Sequence, residues 1–157
     1  MILKGIIDID TINYKKISMI LEFPKCDFKC DKECGRQVCQ NSALATAPDI
    51  EVSADTVIQG YLDDPVTEAI ICQGLEPLDS WLDLYSFILM FRSVSDDDIV
   101  IYTGYTKCEI VDKIEQLKQF PNIIIKYGRY VPNQEPHCDD VLDVYLASDN
   151  QYAERIS

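Results

Sequence analysis

Four closely spaced cysteines are the residues of this chain best suited to chemistry. Cys26, Cys30, Cys34 and Cys39 all lie in one segment, residues 24–41. Thiolates are soft ligands that bind zinc ions or iron–sulfur clusters, and short spacings let one loop present several sulfur atoms to the same centre. The segment is therefore predicted to be a metal-binding loop, called the cysteine loop below.

The cysteines alone leave two kinds of metal centre open. A structural zinc ion would take all four thiolates in a closed tetrahedron, and an iron–sulfur cluster is the other centre that thiolates hold. Successive cysteines are separated by three, three and four residues, which is looser than in the usual zinc knuckle. The surrounding elements are needed to choose between these centres.

The overall charge limits the partners of this chain. The formal net charge is −13, and phosphate binding requires a basic patch, so nucleic acid and an anionic membrane surface are both disfavoured as partners. No stretch approaches the roughly 20 apolar residues of a membrane span. The seven cysteines are an odd number for a disulfide framework, so a reducing cytoplasm is the expected location.

The basic residues are unevenly distributed. No Lys or Arg occurs from Gln37 to Phe91, whereas six basic residues crowd the approach to the cysteine loop and the loop itself. These are Lys15, Lys16, Lys25, Lys29, Lys32 and Arg36. Because acidic residues lie among them, a solvated face is the simpler interpretation, and a locally basic rim is the alternative.

Alternating strand and helix patterns predict the fold class. An apolar strand, Ile17–Phe23, runs directly into the cysteine loop. Further strands are predicted at 69–72, 99–102, 122–126 and 143–146, a solvated turn at 96–98, and helices capped by Ser53, Ser80 and Thr106. Near-continuous apolar strands alternating with helices indicate a mostly parallel sheet covered by helices. We expect one α/β domain over residues 1–157, an incomplete parallel (β/α) barrel or a curved open sheet.

The predicted strand ends bring several segments to one place. In sheets of this kind, function collects at the carboxyl ends of the strands. Three segments besides the cysteine loop directly follow predicted strands, at 74–77, 103–105 and 127–129. We therefore expect all four segments to surround one site.

Taken in order, these segments resemble motifs of the radical S-adenosylmethionine superfamily, and within it of the small proteins that activate anaerobic ribonucleotide reductase. Cys26-Asp27-Phe28-Lys29-Cys30 is similar to the opening of the family's cluster motif, and Cys39-Gln40-Asn41 to its close. Gln73-Gly74-Leu75-Glu76-Pro77-Leu78 resembles the family's Gly-Gly-(Glu/Asp)-Pro-Leu loop. The later matches are Ile101-Tyr102-Thr103-Gly104-Tyr105, Tyr127-Gly128-Arg129-Tyr130 and Ala147-Ser148-Asp149-Asn150-Gln151.

The resemblance implies a cofactor pair and an activity. Three thiolates would bind a [4Fe–4S] cluster, and S-adenosyl-L-methionine would occupy its fourth iron. One electron, from a donor such as flavodoxin, would cleave the cofactor and give a 5′-deoxyadenosyl radical, which removes a hydrogen atom from the substrate. In the activating proteins that substrate is a glycine of the glycyl-radical subunit of anaerobic ribonucleotide reductase.

The resemblance also assigns residues to roles. Cys26, Cys30 and Cys39 would bind the cluster, with Cys34 as the spare or alternate ligand, because Gln40-Asn41 continues the family pattern. No catalytic residue beyond the cluster is implied. The residues implied in cofactor binding are Gly74, Leu75, Glu76, Pro77, Thr103, Gly104, Tyr105, Ser148, Asn150 and Gln151.

Two of the chain's departures from the family pattern bear directly on the predicted site. Eight residues separate Cys30 from Cys39, where the family has two. Leu75 stands where the family has a second glycine, which requires that this position does not need a positive φ. Two other functions stay open, a small-molecule radical enzyme of the deazapurine synthase type and a non-enzymatic adaptor domain stabilised by zinc.

Overall fold

A six-stranded mixed sheet forms the centre of the computed structural model, which describes residues 1–157. The strands are β1 (Ile2–Leu3), β2 (Gly5–Asp10), β3 (Ser18–Phe23), β4 (Ile50–Glu51), β5 (Ala69–Gly74), β6 (Asp98–Tyr102), β7 (Ile123–Tyr127), β8 (His137–Asp139), β9 (Val144–Leu146) and β10 (Tyr152–Arg155). The helices are α1 (Lys29–Cys34), α2 (Ser42–Thr46), α3 (Ala54–Asp63), α4 (Trp81–Phe91) and α5 (Val111–Leu117). Two 3-10 turns, Pro77–Ser80 and Lys107–Ile110, precede α4 and α5.

The sheet is open and has the order β10-β7-β6-β5-β3-β2. Its four inner strands are parallel, and the edge strands β2 and β10 are antiparallel to their neighbours. The inner strands are buried along nearly their whole length, which explains their continuous apolar sequences. The α/β class is thus confirmed, with a mixed sheet that is not closed into a barrel.

The two faces of the sheet are covered differently. Apolar residues of α3, α4 and α5 pack on one face together with the alternate side chains of the inner strands. The other face carries no helix and is covered by Tyr14, Leu142 and Leu146. The expectation of a sheet covered by helices therefore holds for one face only. This second face is left open towards the carboxyl ends of the strands, where a cavity forms.

The structure corrects three local predictions. Residues 143–146 do form a strand, β9, but it pairs with β8 in a separate hairpin rather than joining the sheet. Ser80 does not cap α4 with its side chain, because the chain enters this helix through a 3-10 turn that Glu76 caps instead. The turn at 96–98 is not wholly solvated, since Asp98 begins β6 and is buried.

Other predicted helix starts are confirmed. The Ser53 hydroxyl accepts a hydrogen bond from the Thr56 backbone N–H at 3.0 Å at the start of α3. Thr106 and Glu109 form the predicted capping box, although the turn that it opens is a 3-10 turn before α5. No helix in the chain is both long enough and apolar enough to cross a membrane.

Candidate functional site

A cavity of about 350 Å³ lies at the carboxyl edge of the parallel strands. Residues of the cysteine loop form one side of it, and the residues that follow β5, β6 and β7 form the other. The four segments that sequence reasoning expected around one site therefore do meet there. The connection between β2 and β3 and strand β9 complete the lining on the helix-free face of the sheet.

Three of the four clustered cysteines line this cavity. They are Cys26, Cys30 and Cys39, whereas Cys34, the last residue of α1, does not reach it. Burial raises the pKa of Cys26 to about 11, and it also raises the pKa of Cys30. Without a cation beside them, both sulfur atoms are therefore held as neutral thiols at neutral pH.

Local hydrogen bonds fix the cysteine loop. Phe28 adopts a left-handed conformation, with φ of 54°, and donates its backbone N–H to Cys26 Sγ at 3.2 Å. Asp31 Oδ1 accepts the backbone N–H groups of Val38 and Cys39 at 2.7 and 2.8 Å. Because Asp31 lies in α1, this contact draws the later part of the loop back to its beginning and offsets its extra length.

The segment after β5 is tied to the same loop. Asn41 Nδ2 donates to the Gly74 carbonyl oxygen at 2.8 Å, and the Glu76 backbone N–H donates to the Lys25 carbonyl at 2.8 Å. Gly74 has φ of +107°, and a Cβ there would lie 2.7 Å from the Phe23 backbone nitrogen. The first glycine of the motif is therefore required. Leu75 is not among the non-glycine residues with positive φ, so a side chain is tolerated at the second position.

Glu76 is a buried carboxylate at the centre of the site, with 4% of its surface exposed. It accepts hydrogen bonds from Thr103 Oγ1 at 2.8 Å, the Gly104 N–H at 2.8 Å and the Leu78 N–H at 3.1 Å. Desolvation raises the pKa of Glu76 to about 7, although these three donors oppose the shift. A cation bound in the cavity would therefore favour the ionised carboxylate.

Tyr105 joins the cavity to the surface of the cysteine loop. Its hydroxyl donates to Asp79 at 2.6 Å, and Lys29 Nζ lies 3.9 Å from the centroid of its ring. Arg129 lies on the same ring at 6.0 Å and makes a two-pronged ion pair with Glu109, with distances of 3.0 and 2.6 Å. This pairing lowers the pKa of Glu109 to about 2.

The predicted C-terminal residues support the site more than they line it. Gln151 lines the cavity and donates to the Gly128 carbonyl at 3.2 Å. Ser148 accepts the Val131 N–H at 2.9 Å, and Asn150 donates to the Arg129 carbonyl at 2.9 Å. Ser148, Asn150 and also Pro77 do not line the cavity, and their role in cofactor binding stays a prediction.

Lys126 is a buried charged residue of the lining that the sequence did not predict. It lies on β7, is 7% exposed, and donates only to the Gly128 carbonyl, at 3.1 Å. No carboxylate lies within ion-pair distance of its ammonium group, and burial lowers the pKa of Lys126 to about 8. The available signal was a lysine at the end of an otherwise apolar strand, Ile123–Tyr127.

The donor atoms indicate which centres the site can hold. Zn–S bonds of about 2.3 Å place the sulfur atoms of a tetrahedral zinc site about 4 Å apart. No three of the cysteine sulfurs lie within 4.8 Å of one another; Cys26, Asp27 and Asp79 form the one such group. Ligands to different irons of a cluster lie further apart than ligands to one ion. The cysteine sulfurs are therefore not arranged as a closed tetrahedral zinc site.

Comparison with known proteins assigns no function, so any functional assignment rests on these residues. No protein-family model, curated protein or solved structure matches this chain. The arrangement itself offers three thiols and, beside them, a buried carboxylate and a buried ammonium group.

Proposed function

We propose that this protein is a radical S-adenosylmethionine enzyme of the small activating type, which generates a glycyl radical in an anaerobic ribonucleotide reductase. The observation that carries the proposal is the content of one cavity. Three thiols, a buried carboxylate and a buried unpaired ammonium group face it together. This combination complements a cluster together with the zwitterionic methionine end of S-adenosylmethionine. It is the main reason for preferring a radical S-adenosylmethionine enzyme to a protein that holds only a metal.

Cys26, Cys30 and Cys39 would hold a [4Fe–4S] cluster at the cysteine side of the cavity. When bound, the cluster and S-adenosylmethionine would supply one-electron cleavage of a carbon–sulfur bond and the carbon radical that results. The protein's own part is to bind the cluster and the cofactor, to orient them and to exclude water from them. Asp31 serves that part by fixing the backbone at Cys39, and Asn41 by fixing the cysteine loop to the end of β5.

Glu76 and Lys126 would orient the methionine end of the cofactor. A carboxylate has about four acceptor sites, and Glu76 uses three of them on protein donors, so one remains for the methionine ammonium group. Lys126 uses one of its three donors on Gly128, so two remain for the methionine carboxylate. Each buried charge would thereby gain the partner that the protein does not provide.

The mouth of the cavity favours a protein substrate over a small one. Ile12 and Tyr145 both line it, yet they are 76% and 77% exposed. Apolar side chains at an opening are commonly covered by a partner, and a carbon radical must be shielded from solvent. A polypeptide segment of the reductase, laid over this mouth, would supply both the glycine and the shield.

Anaerobic reconstitution tests the chemistry. The protein would be loaded with iron and sulfide, reduced with dithionite in the presence of S-adenosylmethionine, and examined for 5′-deoxyadenosine. We expect the product from the wild type and from Cys138→Ser, whose thiol is exposed and outside the cavity. Iron-loaded protein that yields no 5′-deoxyadenosine would contradict the proposal, and retention of zinc in place of iron would favour the adaptor alternative.

The reductase provides the second part of that test. Mixed with an anaerobic reductase, active protein should produce the electron paramagnetic resonance doublet of a glycyl radical. Formation of 5′-deoxyadenosine with no glycyl radical in any reductase tested would instead favour an enzyme acting on a small molecule.

Paired serine variants test the ligand assignment. We expect Cys39→Ser to abolish cluster assembly and Cys34→Ser to leave it largely intact, because Cys39 lines the cavity and Cys34 does not. Iron content and the spectrum of the reduced cluster would be measured for both variants. The reverse result would make Cys34 the third ligand.

A further inference from the structure

Four basic residues lie within residues 25–36 of the cysteine loop, and all four are at least partly exposed. Lys25 and Arg36 are exposed and form no ion pair, and the Lys32 side chain is 66% exposed. Lys29 is 35% exposed and extends from the cavity rim over the ring of Tyr105. Together, Lys25, Lys29, Lys32 and Arg36 are called the basic loop face.

The acidic residues of the same segment leave this face largely uncompensated. Asp31 is occupied by two backbone N–H groups inside the loop, and Glu33 lies 3.2 Å from the Arg129 guanidinium. Only Asp27 faces the basic loop face, and its carboxylate lies 3.9 and 4.0 Å from the two helix lysines. Two exposed lysines thus share one exposed carboxylate, and such contacts neutralise charge only weakly.

The rest of the chain has the opposite charge. Residues 25–36 contain four of the 14 basic residues and three of the 27 acidic ones, so 10 basic and 24 acidic residues lie elsewhere. A negatively charged protein would therefore be repelled by most of the surface and attracted to the basic loop face. Such a charge distribution orients a partner before contact and raises its association rate.

We propose that the basic loop face is the docking surface for an acidic protein that carries single electrons. This inference rests on the proposed function, in which one electron must reach a cluster held by cysteines of the same loop. In each transfer the reduced cofactor of the carrier loses one electron and the cluster gains it, with no bond formed or broken between the two proteins. Lys25 and Lys29 directly precede the lining cysteines Cys26 and Cys30, so docking here brings the carrier to the cysteine loop.

Charge reversals with a matched control test the docking surface. Lys32→Glu combined with Arg36→Glu changes two residues that do not line the cavity. Lys15→Glu combined with Lys118→Glu makes the same charge change at the opposite, amino edge of the parallel strands. The affinity of each reconstituted protein for a flavodoxin, chosen as an acidic one-electron carrier, would be measured by calorimetry at about 50 and about 300 mM salt.

We expect the loop variant to bind flavodoxin at least ten-fold more weakly than wild type at low salt, with a smaller difference at high salt. The control variant should stay within about two-fold of wild type. Equal weakening in both variants, or no measurable binding by wild type, would overturn the proposal. Random single-stranded DNA that binds as tightly as flavodoxin would also overturn it, since the face would then be a general polyanion site.

Dithionite separates this test from the test of the proposed function. All three proteins should form 5′-deoxyadenosine equally with dithionite, whereas only the loop variant should be slow with reduced flavodoxin. Failure of wild type with dithionite would count against the enzymatic function, while the calorimetry would still decide whether the face binds the carrier. A loop variant that loses iron or is slow with dithionite would show that these residues serve the cluster, which would overturn their assignment to docking.

Discussion

Lys126 carries a buried positive charge that the fold compensates only from a distance, through Glu76 and through the Tyr102 ring, whose centroid lies 5.8 Å away. Its ammonium group is buried, donates to a single carbonyl oxygen and has no carboxylate within ion-pair distance. Burying such a charge is unfavourable, and perturbed lysines of this kind are typical of functional sites. At the scale of single residues, Lys126 is thus the group that would gain most from the cofactor carboxylate in the proposed function.

Replacing Lys126 by methionine should stabilise the protein in the absence of ligand. The pKa falls from 10.5 to about 8 on folding, so the folded state binds fewer protons between these values and wild-type stability rises with pH there. Below about pH 8 the unfavourable charge is fully present. We expect Lys126→Met to raise the free energy of unfolding at pH 7 by about 1–3 kcal/mol.

Urea denaturation at pH 7 and pH 10 would measure this effect. The gap between variant and wild type should narrow at pH 10, and Lys126→Arg, which keeps the charge, should show no gain. The methionine variant should also lose affinity for S-adenosylmethionine. A methionine variant that is less stable at pH 7, with a gap independent of pH, would mean that Lys126 has a structural role.

At the scale of elements, the site depends on how two neighbouring strands end. β3 and β5 are paired in register from Ser18 with Ala69 to Phe23 with Gly74, so their final residues lie side by side. Gly74 can turn the chain only because it has no Cβ, since its surroundings are backbone atoms of β3. The cysteine loop and the Glu76 segment therefore take their relative position from one close backbone contact.

Alanine at Gly74 should break that contact. A Cβ would lie 2.7–2.9 Å from backbone atoms that cannot move independently, and φ of +107° is itself strained for alanine. We expect Gly74→Ala to lower the free energy of unfolding by about 2 kcal/mol or more and to reduce iron loading. Thermal and chemical denaturation would measure the first effect, and iron analysis the second.

Gly60 provides the control for this substitution. It lies in α3, where an added Cβ would meet no atom within 4 Å. Gly60→Ala should therefore stabilise the protein by about 0.5–1 kcal/mol, because alanine is the better helix former. Equal effects at the two positions would contradict the role given to the β3–β5 contact.

At the scale of the whole molecule, the two edges of the parallel sheet have separate tasks. The carboxyl edge holds the cavity, whereas the amino edge is tied together by Asp98. This buried carboxylate accepts from the Tyr14 hydroxyl at 2.9 Å and pairs with Lys16 at 2.6 Å and Arg155 at 2.8 Å. It connects the residues before β3 to the last strand, β10, across the sheet.

Removing Asp98 should therefore weaken the fold without altering the chemistry of the site. We expect Asp98→Ala to lower the free energy of unfolding by about 2–4 kcal/mol, since buried donors and charges lose their shared partner. Asp96→Ala, at an exposed neighbouring position, should change it by less than about 0.5 kcal/mol. Denaturation would measure both, and 5′-deoxyadenosine formation by folded Asp98→Ala at low temperature should match wild type. A selective loss of that activity would contradict the separation of tasks.

The sequence by itself determined the elements and the edge at which the site lies. Apolar runs and capping residues depend on neighbours along the chain, so the four inner strands and the meeting of their loops could be predicted from local patterns. The strands at the sheet edges were missed because β2 is largely exposed and β10 is only four residues long and half exposed. Residues 143–146 were placed in the sheet because a local pattern does not specify which strand will be the partner.

Only the tertiary structure decided the environment of each side chain. It placed Cys34 outside the cavity, gave Ser148 and Asn150 supporting contacts, and buried Lys126 without a counter-charge. It also left one face of the sheet without helices, which is where the cavity opens. The physical reason is that burial, hydrogen bonding and charge compensation depend on residues distant in sequence, and these are fixed only when strand order and register are fixed.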